Sequence, residues 1–192
     1  MDKLMIYWAP AASLKGTAHS VIEELAARAL RDQGVVPPVR FGRAAHGKPF
    51  LPDDPHRHFN GSHSGGIAVC AFWERPLGID LQQVSAKPRA QAIARRLMHP
   101  NEVARLAASA DAERLFFRLW AQKEAVMKAT GDGFALPMNR FEVRQTGGGA
   151  QVVGVGLSDW TLAPVPGFPG FEVWVCVRGT VPAMTVRALP LR

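Results

Sequence analysis

Residues 111–129 constrain the fold more than any other run. They set Leu115, Leu119, Val126 and the intervening aromatics on the inward side of a long amphipathic helix, and Gly131 and Gly133 stop it. After that helix the chain turns to strands: FEVR (141–144), QVVGVGL (151–157), FEVWVCV (171–177) and MTVRAL (184–189), with GGG (147–149) as a hairpin loop. Upstream, LMIYW (4–8) reads as a strand. Residues 18–32 carry Val21, Ile22, Leu25, Ala29 and Leu30 near helical spacing, and Gly34 ends that segment. GKPFLPDDP (47–55) is rich in Pro and Gly and reads as a loop. GIAVCAFW (66–73) reads as a buried strand, joined through ERP to LGIDL (77–81) as a hairpin. Residues 88–98 and 101–109 read as helices, with Asn101 as the N-cap of the second. The pattern is mixed α+β.

The 192 residues suffice for one large domain or two small ones fused. No apolar stretch approaches a bilayer span. At the N-terminus Asp2 offsets Lys3 and Pro10 cuts the apolar run, which favours a first strand over a signal peptide. Cys70 and Cys176 form neither a metal signature nor a disulfide framework and read as buried, reduced thiols of a cytoplasmic protein. Lys+Arg number 23 against 16 Asp+Glu, a net charge of +7, so an anionic partner is expected. Most of the excess lies in 87–128, where Lys87, Arg89, Arg95, Arg96, Arg105, Arg114, Arg118, Lys123 and Lys128 face only Glu102, Asp111, Glu113 and Glu124. That stretch reads as a solvated helical face or as the docking surface for something acidic.

Four groups of residues bear chemistry. Trp120, Glu124 and Lys128 recur at i, i+4, i+8 and share a helix face. Glu124 and Lys128 read as an ordinary helix salt bridge, worth about 0.3 kcal/mol, or as the carboxylate and ammonium of a metal–phosphate site. In GIDLQ (78–82), Asp80 and Gln82 point to the same side of a strand. Asp80 is a turn-former or a ligand for a hard cation. Together with Glu124 it would give two carboxylates, and Gln82 a neutral carbonyl oxygen. HFNGSHSGG (58–66) reads as a tight loop whose N–H groups, with Ser62, His63 and Ser64, suit phosphate oxygens. His56, His58 and His63 lack the carboxylate or Cys spacing of a zinc site. Ser62 and His63, being adjacent, point apart on an extended chain and form no nucleophile–base pair. Gly47-Lys48-Pro49 is not a Walker loop; its lysine is either solvated or held toward an anion by rigid neighbours.

The order of these motifs is specific: GKPxLP, HFNxSHS, GIDL, then LWxxKEAxxKxxGxG. From Gly47 to about Val143 the chain resembles the 4′-phosphopantetheinyl transferases of the surfactin-type group, which activate peptide and polyketide synthetases. The resemblance implies an α+β fold of two similar α/β halves forming a pseudo-dimer, here about 1–76 and 77–192, with coenzyme A in the cleft between them. It implies transfer of the phosphopantetheine arm of coenzyme A to a serine of an acidic apo carrier protein, with release of 3′,5′-ADP, by a monomer that needs neither nucleic acid nor membrane. Carried onto matching positions, Asp80, Glu124 and Gln82 would hold Mg²⁺. Lys48, Pro49, Ser62, His63 and Lys128 would contact the coenzyme, and Glu124 would take the serine proton. Lys128 would steady the departing phosphate, and Trp120 would pack to fix the helix. Two departures stand out. Many relatives carry Glu where this chain has Gln82, and the N-terminal region is short, leaving Lys15, His19 and Arg43 as substitute grips for the 3′-phosphate.

Two other readings compete. One is a non-catalytic module that holds coenzyme A or a carrier protein on the same scaffold. The other is a nucleic-acid-binding protein, suggested by charge alone and lacking both a motif and a row of aromatics among the basic residues.

Overall fold

A computed structural model describes residues 3–15, 18–86 and 89–190, so Lys87 lies outside the described residues, as does the side chain of His19. In chain order the elements are β1 (Leu4–Pro10), α1 (Ala18–Asp32), β2 (Gly42–Arg43), β3 (Pro49–Phe50), β4 (His58–Ser64), β5 (Ile67–Trp73), β6 (Leu77–Gln83), α2 (Ala90–Leu97), α3 (Pro100–Ala108), α4 (Ala112–Thr130), β7 (Glu142–Gln145), β8 (Ala150–Val153), β9 (Trp160–Pro164), β10 (Phe171–Arg178) and β11 (Met184–Ala188). No helix among them is long and apolar enough to cross a membrane.

The strands form two principal sheets, in the orders β11-β1-β5-β4 and β6-β10-β9-β8-β7, and β2 pairs with β3 in a small ribbon. Alternation along each strand sorts its side chains into layers. Tyr7, Ala9, Ala68, Cys70 and Phe72 pack toward α1, with Leu25, Ala29 and Leu30. Their alternates Leu4, Ile6, Val69, Ala71 and Trp73 meet Leu77, Ile79, Leu81, Val173, Val175 and Val177 of the second sheet. Trp174 and Cys176, on the opposite side of that second sheet, pack with Ala125, Val126 and Ala129 of α4. The result is helix, sheet, sheet, helix: an α+β fold in which each sheet carries its own long helix.

Several sequence expectations change. HFNGSHS is a strand, not a loop: β4 pairs antiparallel with β5 from His58 opposite Trp73 to Ser64 opposite Ile67. Gly65 and Gly66 make the connection at φ 54° and 78°, the two positive values that a tight two-residue hairpin needs. The expected β5–β6 hairpin does not form. β5 already has β1 on one edge and β4 on the other, so β6 finds a free edge only in the second sheet, along β10. Within 47–55, Pro49 and Phe50 pair with Arg43 and Gly42. α3 is capped by His99, not Asn101: the His99 ring accepts from Asn101 N, Pro100 takes the first helical turn, and Glu102 returns a bond to His99 N at 3.0 Å. β9 is a strand that the sequence pattern does not announce, since it runs into Pro164 and the proline-rich segment beyond it.

Candidate active site

β4 and β6 are the facing edge strands of the two sheets, and side chains span the gap between them. Asn60 Oδ1 accepts from Ile79 N at 3.0 Å, giving an edge amide the partner that a ladder would have supplied. Two residues further along β4 and one further along β6, Ser62 Oγ donates to Asp80 Oδ1 at 2.7 Å. Asp80 is 2% exposed. Its Oδ1 also accepts from Lys128 Nζ at 2.6 Å, and its Oδ2 from Gln82 Nε2 at 2.8 Å. Gln82 therefore turns its amide NH₂, not its carbonyl oxygen, toward Asp80.

α4 reaches this cluster because Gly78 lets it. A Cβ at Gly78 would lie 2.1 Å from Ala125 O and 2.4 Å from Ala129 N, so the helix rests directly on the β6 backbone. Lys128 then spans both edges, forming an ion pair with Asp80 and directing longer bonds to Ile79 O at 3.3 Å and Gly61 O at 3.5 Å. Glu124, one turn earlier, is half-buried. Burial pushes its carboxyl pKa up, the Asp80 charge adds to that, and Lys128 opposes it. The two carboxylates are thus close enough to repel. Trp120 packs between two core clusters, with its ring 5.7 Å from that of Phe116.

Ser62 and Lys128 of the cluster line a cleft of about 710 Å³, whereas Asp80, Gln82 and Glu124 are not among its lining residues. Lys48, Pro49, Ser62, His63 and Lys128 all line it, along with Ile22 and Glu23 of α1, Arg43 and His46 of the ribbon, and residues 131–135 beyond α4. Along β4, Ser62 is buried and His63 exposed, the alternation that keeps these neighbours from bonding to each other. Lys48 is engaged: its Nζ donates to Ala129 O at 2.9 Å and Leu77 O at 3.1 Å, tying the ribbon to α4 and β6. Burial lowers its pKa to about 8. Arg43 pairs with Glu23 and donates to Gly47 O at 3.4 Å. Phe134, 88% exposed at the mouth, is a lining residue that the motifs do not mark; its place in Gly131-Asp132-Gly133-Phe134, straight after the helix stop, is the available signal.

The cations of the basic stretch differ in their surroundings. Lys123 is no docking residue: it is fully buried, pairs with Glu102 at 2.8 Å, and donates to Met138 O at 2.7 Å and to Phe141 O. Arg105 donates to Val143 O at 2.6 Å, and Arg114 and Arg118 share Glu172. Arg89, Arg95 and Arg96 are exposed at and along α2.

Asp80 and Glu124 are the acidic side chains of the cluster, and among the described residues no group of three or more His, Cys, Asp or Glu is arranged to hold a metal ion. The donor set still fits Mg²⁺. Two carboxylates that repel each other are steadied by a shared cation, and this ion completes its shell with waters and substrate phosphates.

Residues 76–165 match the model of the 4′-phosphopantetheinyl transferase superfamily, a stretch that contains Asp80, Gln82, Glu124 and Lys128 but not Lys48, Ser62 or His63. Over 108 residues the chain is 41% identical to "4′-phosphopantetheinyl transferase Sfp" of Bacillus subtilis (strain 168), covering 55% of this chain and 47% of that protein. Over 103 residues it is 39% identical to "4′-phosphopantetheinyl transferase HetI" of Nostoc sp., covering 50% and 44%. It is also 33% identical over 118 residues to the human "L-aminoadipate-semialdehyde dehydrogenase-phosphopantetheinyl transferase", covering 54% and 38%. The chain thus covers about half the length, or less, of the curated relatives it matches. The matched stretch holds both the motif-bearing strand β6 and the helix α4, and over that stretch the chain is similar to the 4′-phosphopantetheinyl transferase superfamily.

Proposed function

We propose that this protein transfers the 4′-phosphopantetheine group of coenzyme A to a serine hydroxyl of an apo carrier protein, in a Mg²⁺-dependent reaction that releases 3′,5′-ADP. The observation that carries the reading is that the buried carboxylate of Asp80 binds both Ser62 and Lys128, two side chains that line a cleft together with Arg43, His46 and Lys48. The relatives' names support the same activity.

In this reading the diphosphate lies against Lys128, Ser62 and His63, and the nucleotide end extends past Lys48 and Pro49. Asp80 and Glu124 hold Mg²⁺, with the Gln82 side chain beside them. The ion, when bound, offsets the charge of the diphosphate oxygens. The serine oxygen attacks the phosphorus that carries the pantetheine arm. The bond from that phosphorus to the bridging oxygen breaks, and the pair of electrons leaves on 3′,5′-ADP. Glu124, directly or through one water, receives the serine proton; a carboxyl whose pKa is raised by burial is a better base than an exposed one. Lys128 and His63 neutralise charge on the departing phosphate. Fixed charges around one diphosphate suffice, because such transfer depends mostly on positioning and electrostatics.

The halves 1–76 and 77–192 act as one unit with the site at their junction, working as a monomer in the cytoplasm, where Cys70 and Cys176 stay reduced. The exposed arginines of α2 suit an acidic carrier protein, chiefly by speeding encounter. Incubation with labelled coenzyme A, Mg²⁺ and an apo carrier protein tests the proposal. Label should appear on the carrier with the wild-type chain and fall by more than about 100-fold with Asp80→Asn. Coenzyme A binding without any transfer would leave only a binding module.

A further inference from the structure

Lys128 binds the Asp80 oxygen to which the proposed function gives a divalent cation, so its role here rests on that proposal. Ser62 Oγ and Lys128 Nζ both donate to Asp80 Oδ1, at 2.7 and 2.6 Å, while Gln82 takes Oδ2. Asp80 is almost wholly buried, so these three side chains are its solvation. A hydroxyl can stay while a cation arrives at the same oxygen. An ammonium cannot, since two positive charges within a few ångströms of each other in a partly desolvated site repel strongly.

Lys128 is also the one of the three that can leave. Its ammonium sits on a flexible four-carbon stem. Beyond Asp80 its contacts are long, 3.3 Å to Ile79 O and 3.5 Å to Gly61 O, and the residue lines the cleft as well as touching the carboxylate. An anion in the cleft offers the same ammonium a second partner.

We infer that Lys128 is a displaceable occupant of the metal position, neutralising Asp80 in the ligand-free protein and handing that oxygen to a divalent cation when a diphosphate in the cleft draws the ammonium away. Asp80 keeps a positive partner in both states. It makes cation and diphosphate bind with positive cooperativity through the protein, and the coupling is reciprocal. Without the diphosphate, the cation must compete with a tethered lysine.

Mn²⁺ serves as the probe, its binding followed by electron paramagnetic resonance on the full chain without coenzyme A. Lys128→Met is expected to bind Mn²⁺ at least about tenfold more tightly than wild type. Lys128→Gln, with circular dichroism as the check on folding, should do the same. Arg43→Gln removes a cation from the same cleft without touching Asp80, and should change the affinity by less than about threefold, the scale of general electrostatics alone. Asp80→Asn should abolish the tightening in the Lys128→Met background. Affinity unchanged or undetectable in both Lys128 variants overturns the exchange. If the double variant Asp80→Asn/Lys128→Met binds as tightly as Lys128→Met, the cation does not use Asp80, and the metal assignment itself falls.

Discussion

A half-buried carboxyl beside a second carboxylate holds its proton more tightly than an exposed one, and Glu124 is in that position. A pKa raised on folding gives stability that is fully present below the unfolded value and lost as pH rises through the folded one. At neutral pH the ionised Glu124 therefore costs the metal-free fold. Glu124→Gln should raise the melting temperature of the metal-free protein at pH 7 while cutting transfer by more than about 100-fold; calorimetry alongside the transfer assay checks both. Lys48 presents the opposite case. Its pKa of about 8 means that an anionic ligand must hold a proton on it, so affinity for coenzyme A should fall as pH rises through 8. Titration calorimetry at pH 9, in buffers of different ionisation enthalpy, should detect proton uptake on binding, and Lys48→Arg should remove it. Asp80 and Glu124 are legible as a possible pair because strand and helix periodicities fix which way each points. Lys128 is not legible as the partner of Asp80. Its helix neighbour Glu124 is the nearer in sequence, and only Gly78, by letting α4 lie on β6, brings Asp80 within reach.

At the scale of the element, α3 and α4 are joined by a buried charge. Glu102 is fully buried and serves Lys123 at 2.8 Å, Val143 N at 2.7 Å and His99 N at 3.0 Å, so it caps its own helix, starts β7 and neutralises α4. Lys123 has its pKa lowered to about 8 by burial even with this partner. Glu102→Ala leaves a buried ammonium unpaired and should cost about 3–5 kcal/mol, lowering the melting temperature by roughly 10 °C. The double variant Glu102→Gln/Lys123→Met should lose much less, since no charge remains stranded. Helical spacing makes α1 and α4 readable, and their glycine stops lie where expected, with Gly131 left-handed at φ 84°. Spacing says nothing about depth, which is why Lys123 looks in the sequence like one more surface cation. The strand β4 is hidden by composition. His, Asn, Gly and Ser are poor strand formers, and HFNGSHS is extended because β5 needs a partner and Gly65-Gly66 returns the chain to supply one.

For the whole molecule, the pattern of strands and helices foretells a mixed α+β fold, but not which strands become neighbours. Pairing is decided by which edges remain free. β11 crosses back to the first sheet, parallel to β1, with Leu4 opposite Met184 and Trp8 opposite Ala188; Leu189 N then bonds to Trp8 O at 2.9 Å. The second half of the chain thus completes the sheet that the first half begins. Ending the chain after residue 182 should uncover the β1 edge, lower the melting temperature by more than about 5 °C and promote self-association, both visible in a thermal scan with light scattering.

The closure of β1 by β11 also sets an order of events at the ribosome. β11 lies far downstream of β1 in the chain, so β1 leaves the exit tunnel long before its outer neighbour is made. Until then the nascent protein carries a bare hydrogen-bonding margin along a hydrophobic strand, which makes it a client for chaperones during translation.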